Sequence, residues 1–358
     1  MYPRVSIHIV AYNSMDFLPE LLKSIFAQTF QDFNVLVVDN ASSDGVATFL
    51  RDEFPKVALI RNARNVGFSG AHNLAIRYAV DHWGDTDLTD RFVLITNPDV
   101  ILSPTFLEEI VKASEKEPAS VGSFQGKLLR AFKQNAQDEV FCETVKSERI
   151  DSTGLAQHRN RTCTDRGAGE LDKGQYDSST DIFGAAGALA FYRASTLQAL
   201  RYGDHRPGRG PVNGGGEFLD HDFFLYKEDV DLAWRAKKRG FASRYVPTAV
   251  AYHHRAAYGA ERQGWFARIK NRRGKSPMRN WYSTRNHLLL VLKNEGILSG
   301  LLALPWIAWF EFRRFVYVLF LETRNLSAYW SAVKLMPRIL RKRFSRKSET
   351  RSTKFEKR

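Results

Sequence analysis

Short runs of β-branched and aliphatic residues alternate, over the first hundred positions, with segments whose apolar side chains recur at helical spacing, and the runs end on polar residues. Val5–Ala11 has the near-continuous apolar character of a strand covered on both faces. Residues 17–27 follow with helical spacing, 35–38 form a second strand, and 57–60 a third. Gly67, Gly70 and a helical run over 71–80 then lead to Phe92–Thr96. Strands regularly separated by helices predict an α/β fold: a doubly wound, mainly parallel sheet with helices on both faces. Ligands of such sheets gather beyond the carboxyl ends of the strands. Asn13, Asp39 with Asn40, Asn65, and Asn97 with Asp99 stand at those ends.

The middle of the chain is less periodic. Residues 131–181 read as long polar loops over the sheet. Residues 183–192 read as a small-residue turn entering a buried strand, 203–216 as a glycine-rich loop, and 228–238 as an amphipathic helix closed by Gly240. Neither cysteine, Cys142 or Cys163, belongs to a CxxC pair, so no zinc site or disulfide framework is indicated and a reducing cytosol is the default. The apolar N-terminus is too short for a signal peptide and is flanked like a strand.

Charge is distributed unevenly. Residues 1–260 carry 30 Lys and Arg against 33 Asp and Glu, and 261–358 carry 23 against 6, so the whole of the +14 excess lies in the last quarter. That quarter also holds the most apolar stretch, 297–321, with Trp306, Trp309, Phe310, Phe312, Phe315, Tyr317 and Phe320. Basic residues interleaved with aromatics suit an anionic membrane surface better than nucleic acid. Glu311, Arg313 and Arg314 interrupt the stretch and Pro305 is expected to break its helix, which leaves no clean run of about 20 apolar residues to span a bilayer. The expectation is a domain at 1–260, followed by a basic amphipathic helical region at 261–344 and a flexible basic tail at 345–358. Residues 268–275 and 338–347 would be drawn to anionic lipid at about 1 kcal/mol per basic residue. The alternative is that this region packs on the first domain or on a second copy, giving a homo-oligomer.

A few acids stand where chemistry could use them. Asp39, acceptor-only when ionised, could take a ring N–H of a nucleobase, or it could begin an Asx turn in 39–43. Asp99, held in an extended turn by Pro98, suits a hard divalent cation bridging phosphates. One carboxylate is not enough for that, and His253 or His254 could supply a second ligand or serve as a hydrogen-bonded structural residue. Glu228 and Asp229 sit at a helix N-terminus, where the dipole favours ionised carboxylates: the state of a general base, and equally of a helix cap. GxGxxG is missing after the first strand, which argues against a nicotinamide-dependent dehydrogenase. Ala11-Tyr-Asn-Ser14 is not the Gly-rich, Arg-containing phosphate loop expected of a sugar-phosphate nucleotidyltransferase.

Taken in order, five motifs resemble the inverting glycosyltransferases of family 2, of GT-A fold. They are Ala11-Tyr-Asn13, Val37-Val-Asp-Asn-Ala-Ser-Ser-Asp44, Asn65-Val-Gly-Phe-Ser-Gly-Ala-His-Asn73, Asn97-Pro-Asp99 and Glu228-Asp-Val-Asp-Leu-Ala-Trp-Arg235. Ile150-Asp-Ser-Thr-Gly154, Asp165-Arg-Gly167 and Arg285-Asn286 are similar to features of the bacterial rhamnosyltransferase branch. The resemblance implies that Asp39 contacts the base of a dTDP- or UDP-sugar, that Ala11, Tyr12, Asn13, Asn65, Gly67, Asn73 and Asn97 line the donor site, and that Asp229 is the catalytic base. It further implies that Asp99 and His253 hold Mg²⁺ or Mn²⁺. Asn97 replaces the first acid of the DxD motif and removes one charge from the site. A donor sugar such as rhamnose and a glycan acceptor in cell-surface polysaccharide synthesis complete the implied activity, and the basic, apolar C-terminal segment adds the expectation of a lipid-linked acceptor and a place on the inner face of the cell membrane. A non-catalytic membrane-associated binding protein is the alternative.

Overall fold

The computed structural model describes residues 2–135, 142–202, 216–254 and 276–355. Its first half is laid out as the alternation predicts: β1 (Val5–Ala11), α1 (Leu18–Phe26), β2 (Phe33–Asp39), α2 (Val46–Glu53), β3 (Ala58–Arg61), α3 (Gly67–Trp83) and β4 (Phe92–Thr96). The order β3-β2-β1-β4 is parallel throughout, with Ala11 level with Asp39 and Asp39 level with Arg61. Odd positions of β1 and β2, such as Ile7, Ile9 and Val37, pack on Leu18, Leu21, Leu22 and Ile25 of α1. The opposite face packs Leu36 and Val38 against Ala71 and Ala75 of α3. Both faces are therefore buried, which explains why these strands read as unbroken apolar runs.

Beyond β4 the sheet becomes mixed. β5 (Val100–Leu102), α4 (Phe106–Glu115), β6 (Val121–Asn135), β7 (Cys142–Ser152), the hairpin β8 (Leu155–Gln157) and β9 (Cys163–Asp165), β10 (Leu189–Arg193), α5 (Ala194–Leu200), α6 (Glu228–Lys238) and β11 (Ala242–His254) follow. The sheet continues β4-β10-β6-β11-β5, with β10 antiparallel to both of its neighbours, β11 parallel to β6, and β7 paired on β6.

The expectation of loops over 131–181 is corrected: much of this stretch is β-structure, namely the end of β6, β7 and the β8–β9 hairpin. Its polar residues hide the period because they are neutralised in place. Lys127 is buried with its Nζ 2.9 Å from Asp172 and 3.0 Å from Asp177, and Asp151 is buried against His253. The turn into β10 and the helix over 228–238 lie where they were expected, α6 stopping just before Gly240, whose φ of +83° lies in the left-handed region common just past helix ends. The glycine-rich loop at 203–215 lies outside the described residues.

Three helices close the chain: α7 (Pro277–Asn294), α8 (Ile297–Leu321) and α9 (Leu326–Phe355). Ser276 caps α7, its hydroxyl accepting the Arg279 N–H at 3.2 Å, with Pro277 in the first turn. Leu289 and Leu290 of α7 share a core with Val230 and Trp234 of α6 and with Ala332 and Ile339 of α9. Pro305 does not end α8, contrary to expectation: it lies inside a helix of 25 residues. It deletes one backbone bond, its ring stands on an exposed side, and apolar helix formers continue on both flanks. Only Ala303, Arg314 and Val318 of α8 are buried, so most of its apolar surface faces outward. Among the described residues no helix is long and apolar enough to cross a membrane. Of the basic residues expected at lipid, 268–275 lie outside the described residues, while Arg338 and Lys342 bind acids ahead of α6: Arg338 Nε is 3.0 Å from Asp222, and Lys342 Nζ is 2.9 Å from Glu217.

Candidate active site

The loops after β1, β2 and β3 are knitted together by side chains. Asn13, at φ +50°, accepts the Ser43 N–H at 2.9 Å and donates its own N–H to the Ser42 hydroxyl, while Tyr12 stands exposed beside it. Asp39 is buried. One oxygen accepts the Ser42 N–H at 2.8 Å, the Asx turn that the sequence left open, and the other accepts Arg61 Nε at 3.1 Å. Arg61 is itself well exposed, so it covers the carboxylate from the solvent side. Asn40 Nδ2 donates to Asn65 Oδ1, and Asn65 Oδ1 accepts the Gly67 N–H. Gly67 has φ +79°, and a Cβ there would come within 2.6 Å of Phe224, so the loop can approach the chain entering α6 only as glycine. Asn73 reaches the same region from α3: its Oδ1 accepts the N–H groups of Phe218 and Leu219, and its Nδ2 donates to Leu219 O.

At the end of β4, the Asn97 N–H is donated to Ala188 O at 2.9 Å. Gly187, next to it, donates its N–H to Asp229 Oδ2 at 3.0 Å. A single tight turn thus carries the Asn97-Pro-Asp99 segment on one residue and the Asp229 carboxylate on the next. His253, at the end of β11, has Nε2 3.2 Å from Asp99 Oδ1 and Nδ1 2.8 Å from Asp151 Oδ2. Burial pushes this imidazole down, but Asp151 and Asp99 together outweigh it and hold it up at about 9. Its neighbour His254 points elsewhere, 3.2 Å from Glu20 Oε2. Beyond the His253 ion pair, Asp99 Oδ1 has no hydrogen-bond partner among the described residues. A carboxylate oxygen and an imidazole nitrogen suit Mg²⁺ or Mn²⁺. No group of three or more ligating side chains is assembled among the described residues, so substrate phosphates would have to complete such a shell.

Asp229 is partly accessible. Burial raises its carboxyl above the usual range, against the lowering effect of the Gly187 and Val230 N–H groups. Glu228 is more deeply buried, and burial together with the adjacent Asp229 pushes it up strongly. Phe224, Tyr226 and Lys227, all with positive φ, lead into α6, and Arg285 and Asn286 of α7 donate to carbonyls of the same segment, Arg285 to those of Asp222 and Phe223 and Asn286 to those of Phe223, Leu225 and Tyr226. Sequence reasoning gave no role to Asp151, Gly187 or this Arg285–Asn286 pair. The Ile150–Gly154 and Arg285-Asn286 stretches were visible only as branch features, and nothing local in the sequence says what they touch.

The architecture, a mostly parallel sheet flanked by helices and followed by C-terminal helices, is of GT-A type. A solved structure of the Staphylococcus aureus TarS fragment 1–349 in complex with UDP superimposes with a TM-score of 0.50 over 95% of this chain and 87% of that one, at 14% identity. Residues 6–170 match the profile of Glycosyl transferase family 2. The N-acetylglucosaminyl-diphospho-decaprenol L-rhamnosyltransferase of Mycobacterium tuberculosis is 27% identical over 255 residues, 69% of this chain and 75% of that protein. The rhamnosyltransferase WbbL of Escherichia coli is 24% identical over 251 residues, 70% and 83% of the two chains. By these matches the chain is similar to the family 2 glycosyltransferases, and among them to rhamnosyltransferases.

Proposed function

We propose that the chain transfers a deoxyhexose of the rhamnose type from a dTDP- or UDP-sugar to a hydroxyl of a lipid-linked glycan, with inversion at the anomeric carbon. The observation that carries this reading is the 187–188 turn, which tethers Asp229 and Asn97 to consecutive residues. In the reaction, Asp229 receives the acceptor hydroxyl's proton as its oxygen attacks the anomeric carbon, and the C–O bond to the nucleoside diphosphate breaks on the opposite face. Gly187 N–H orients the carboxylate, and the raised proton affinity of Asp229 makes it a stronger base than an exposed aspartate. Asp99 and His253 would hold a divalent cation, which when bound supplies charge neutralisation for the departing diphosphate. Asp151 fixes the His253 ring by its Nδ1. Asn13, Asn97 and, once Arg61 moves aside, Asp39 are the groups offered to the nucleoside. The mainly unburied apolar face of α8 supports peripheral attachment to the inner, anionic face of the cell membrane.

The test is a panel of sugar nucleotides incubated with a prenyl-diphosphate-linked N-acetylglucosamine and Mn²⁺, with the product's anomeric configuration read by NMR. Transfer with inversion from a dTDP- or UDP-deoxyhexose is expected. Retention of configuration, or nucleotidyl rather than glycosyl transfer, overturns the reading. Flotation with phosphatidylglycerol vesicles checks the membrane attachment, which is rejected if the protein stays at the bottom of the gradient.

A further inference from the structure

The β8–β9 hairpin runs from the candidate active site to α8. At its base, Asp165 lies close enough to Asp229 to raise that carboxyl, and Leu155 accepts and returns backbone bonds with the 183–184 segment. Its tip is fixed to the start of α8: Arg161, at φ +64°, pairs with Glu295 and donates to Ser299 O at 3.3 Å. Between tip and helix lies a cavity of about 350 Å³, within the size range of ligand sites. Trp306, Trp309 and Phe310 of α8 form one wall, His158 of the tip lines the cavity, and Arg159 of the tip, with Arg313, brings the positive charge. None of the lining residues is acidic. Arg159 lies over Trp306 at 5.4 Å and Arg313 over Trp309 at 6.0 Å, and neither guanidinium has a carboxylate partner among the described residues.

Two carboxylate-free guanidinium groups over an aromatic wall match an anion joined to an apolar chain. Arginine forks pair with phosphate oxygens, and indole faces accept hydrocarbon. At about 3.3 Å per residue, the strands place this groove roughly 10–15 Å from the base of the hairpin. A hexose ring and a diphosphate together span a distance of that order. The outward apolar face of α8 continues from the groove with Phe312 and Phe315 exposed.

We infer that this groove binds the prenyl diphosphate of the acceptor, seating its phosphates on Arg159 and Arg313 and the first prenyl units on Trp306 and Trp309, while the hairpin sets the distance to Asp229. The inference rests on the reading of the chain as a transferase acting on a lipid-linked glycan.

Two readouts on the full chain test it. Farnesyl diphosphate is titrated against tryptophan fluorescence, with farnesol and inorganic diphosphate in parallel, for the natural chain and for Arg159→Ala/Arg313→Ala. Kinetics of the same two proteins are taken with farnesyl-diphosphate-linked N-acetylglucosamine and with octyl N-acetylglucosaminide. The expected result is binding of farnesyl diphosphate, at least tenfold weaker in the double variant and weaker for both fragments. KM for the diphosphate-linked acceptor rises at least tenfold, while donor hydrolysis and transfer to the octyl glycoside stay within threefold. Unaltered farnesyl diphosphate binding overturns the inference, as does equal damage to both acceptors. Displacement of farnesyl diphosphate by phosphatidylglycerol vesicles at equal phosphate concentration makes the groove a headgroup site and likewise overturns it. If the natural chain binds farnesyl diphosphate yet transfers to neither acceptor from any donor, the transferase reading fails and the groove does not.

Discussion

The side-chain amide of Asn286 on α7 lies 2.7 Å from the carbonyl oxygen of Tyr226, just ahead of the helix that begins with Glu228 and Asp229. The same amide donates to Phe223 O and Leu225 O, and Asn286 is fully buried. The segment it holds contains three non-glycine residues at positive φ, each costing of the order of 1–2 kcal/mol and persisting only where the surroundings impose it. The C-terminal helices therefore position Asp229, the proposed base, as well as covering its helix. Asn286→Leu is expected to lower kcat by about 10–100-fold through misplacement of Asp229, with donor KM nearly unchanged, and to lower stability by about 1–3 kcal/mol. Steady-state kinetics and urea unfolding check both. A loss confined to KM would show that the clamp serves the donor instead.

Asp229 must be ionised to accept a proton, and its carboxyl is raised by burial. The acid limb of kcat/KM is therefore expected above the ordinary carboxylate value of about 4. Asp229→Asn keeps an oxygen for the Gly187 N–H, so donor binding should survive while turnover falls by about 10²–10⁴-fold. A near-normal rate in that variant would remove Asp229 from the mechanism.

The parallel half of the fold was legible because β1 and β2 are covered on both faces, and nothing polar interrupts the strands except Ser6 and His8 in β1 and Asn34 in β2. Helix α6 was legible from its acids and Gly240. The mixed half was not. In β6 and β7 the strand period is carried partly by Lys127, Arg130 and Asp151, whose burial depends on partners distant in sequence. Of the site, the positions at strand ends could be named, but Asp39 closed under Arg61 shows that a strand-end polar residue can be spent on loop geometry, as Asn73 of α3 is spent on residues 218–219. The ring orientation of His253 depends on Asp151, about 100 residues away, and no local pattern carries that.

Asp151 gives the next prediction. By holding Nδ1 it leaves Nε2 of His253 facing Asp99. Asp151→Ala is expected to raise the Mn²⁺ concentration for half-maximal donor hydrolysis by about 10–100-fold, with the rate largely restored at saturating metal. Unchanged metal dependence would assign Asp151 to strand packing alone.

Lys293 of α7 is buried between Asp220 and Asp231, its Nζ 2.8 Å from Asp231 Oδ1. Asp231 also accepts Arg235 Nε at 2.7 Å, and Asp220 pairs with Lys342 of α9. Replacing the ammonium by an apolar chain leaves buried carboxylates short of one counter-charge. Lys293→Met is expected to cost about 3–5 kcal/mol, whereas Arg51→Met, which removes a wholly surface ion pair with Asp52, should cost less than about 1 kcal/mol. Urea unfolding of both variants measures the difference. Similar losses would mean that the buried network does not hold the C-terminal helices in place.

Acid stability should be governed in part by two histidines that take no part in the proposed chemistry. His72 on α3 is wholly buried, neither ring nitrogen has a partner among the described residues, and its ring meets Phe68 edge-on at 4.2 Å. Burial pushes it down to about 3, and burial, with His72 adding to it, holds His8 well below its usual value. Both are bases that the unfolded chain protonates near pH 6.5 and the folded chain does not. The unfolded state therefore binds more protons below that pH, so stability is full above about 6.5 and falls as pH drops toward 3. Each such histidine contributes a slope of up to about 1.4 kcal/mol per pH unit in that window. Urea unfolding at pH 7, 6 and 5 should show a shallower decline for His72→Leu than for the natural chain. Parallel declines would mean that His72 takes up a proton inside the fold, and that its burial does not keep it neutral.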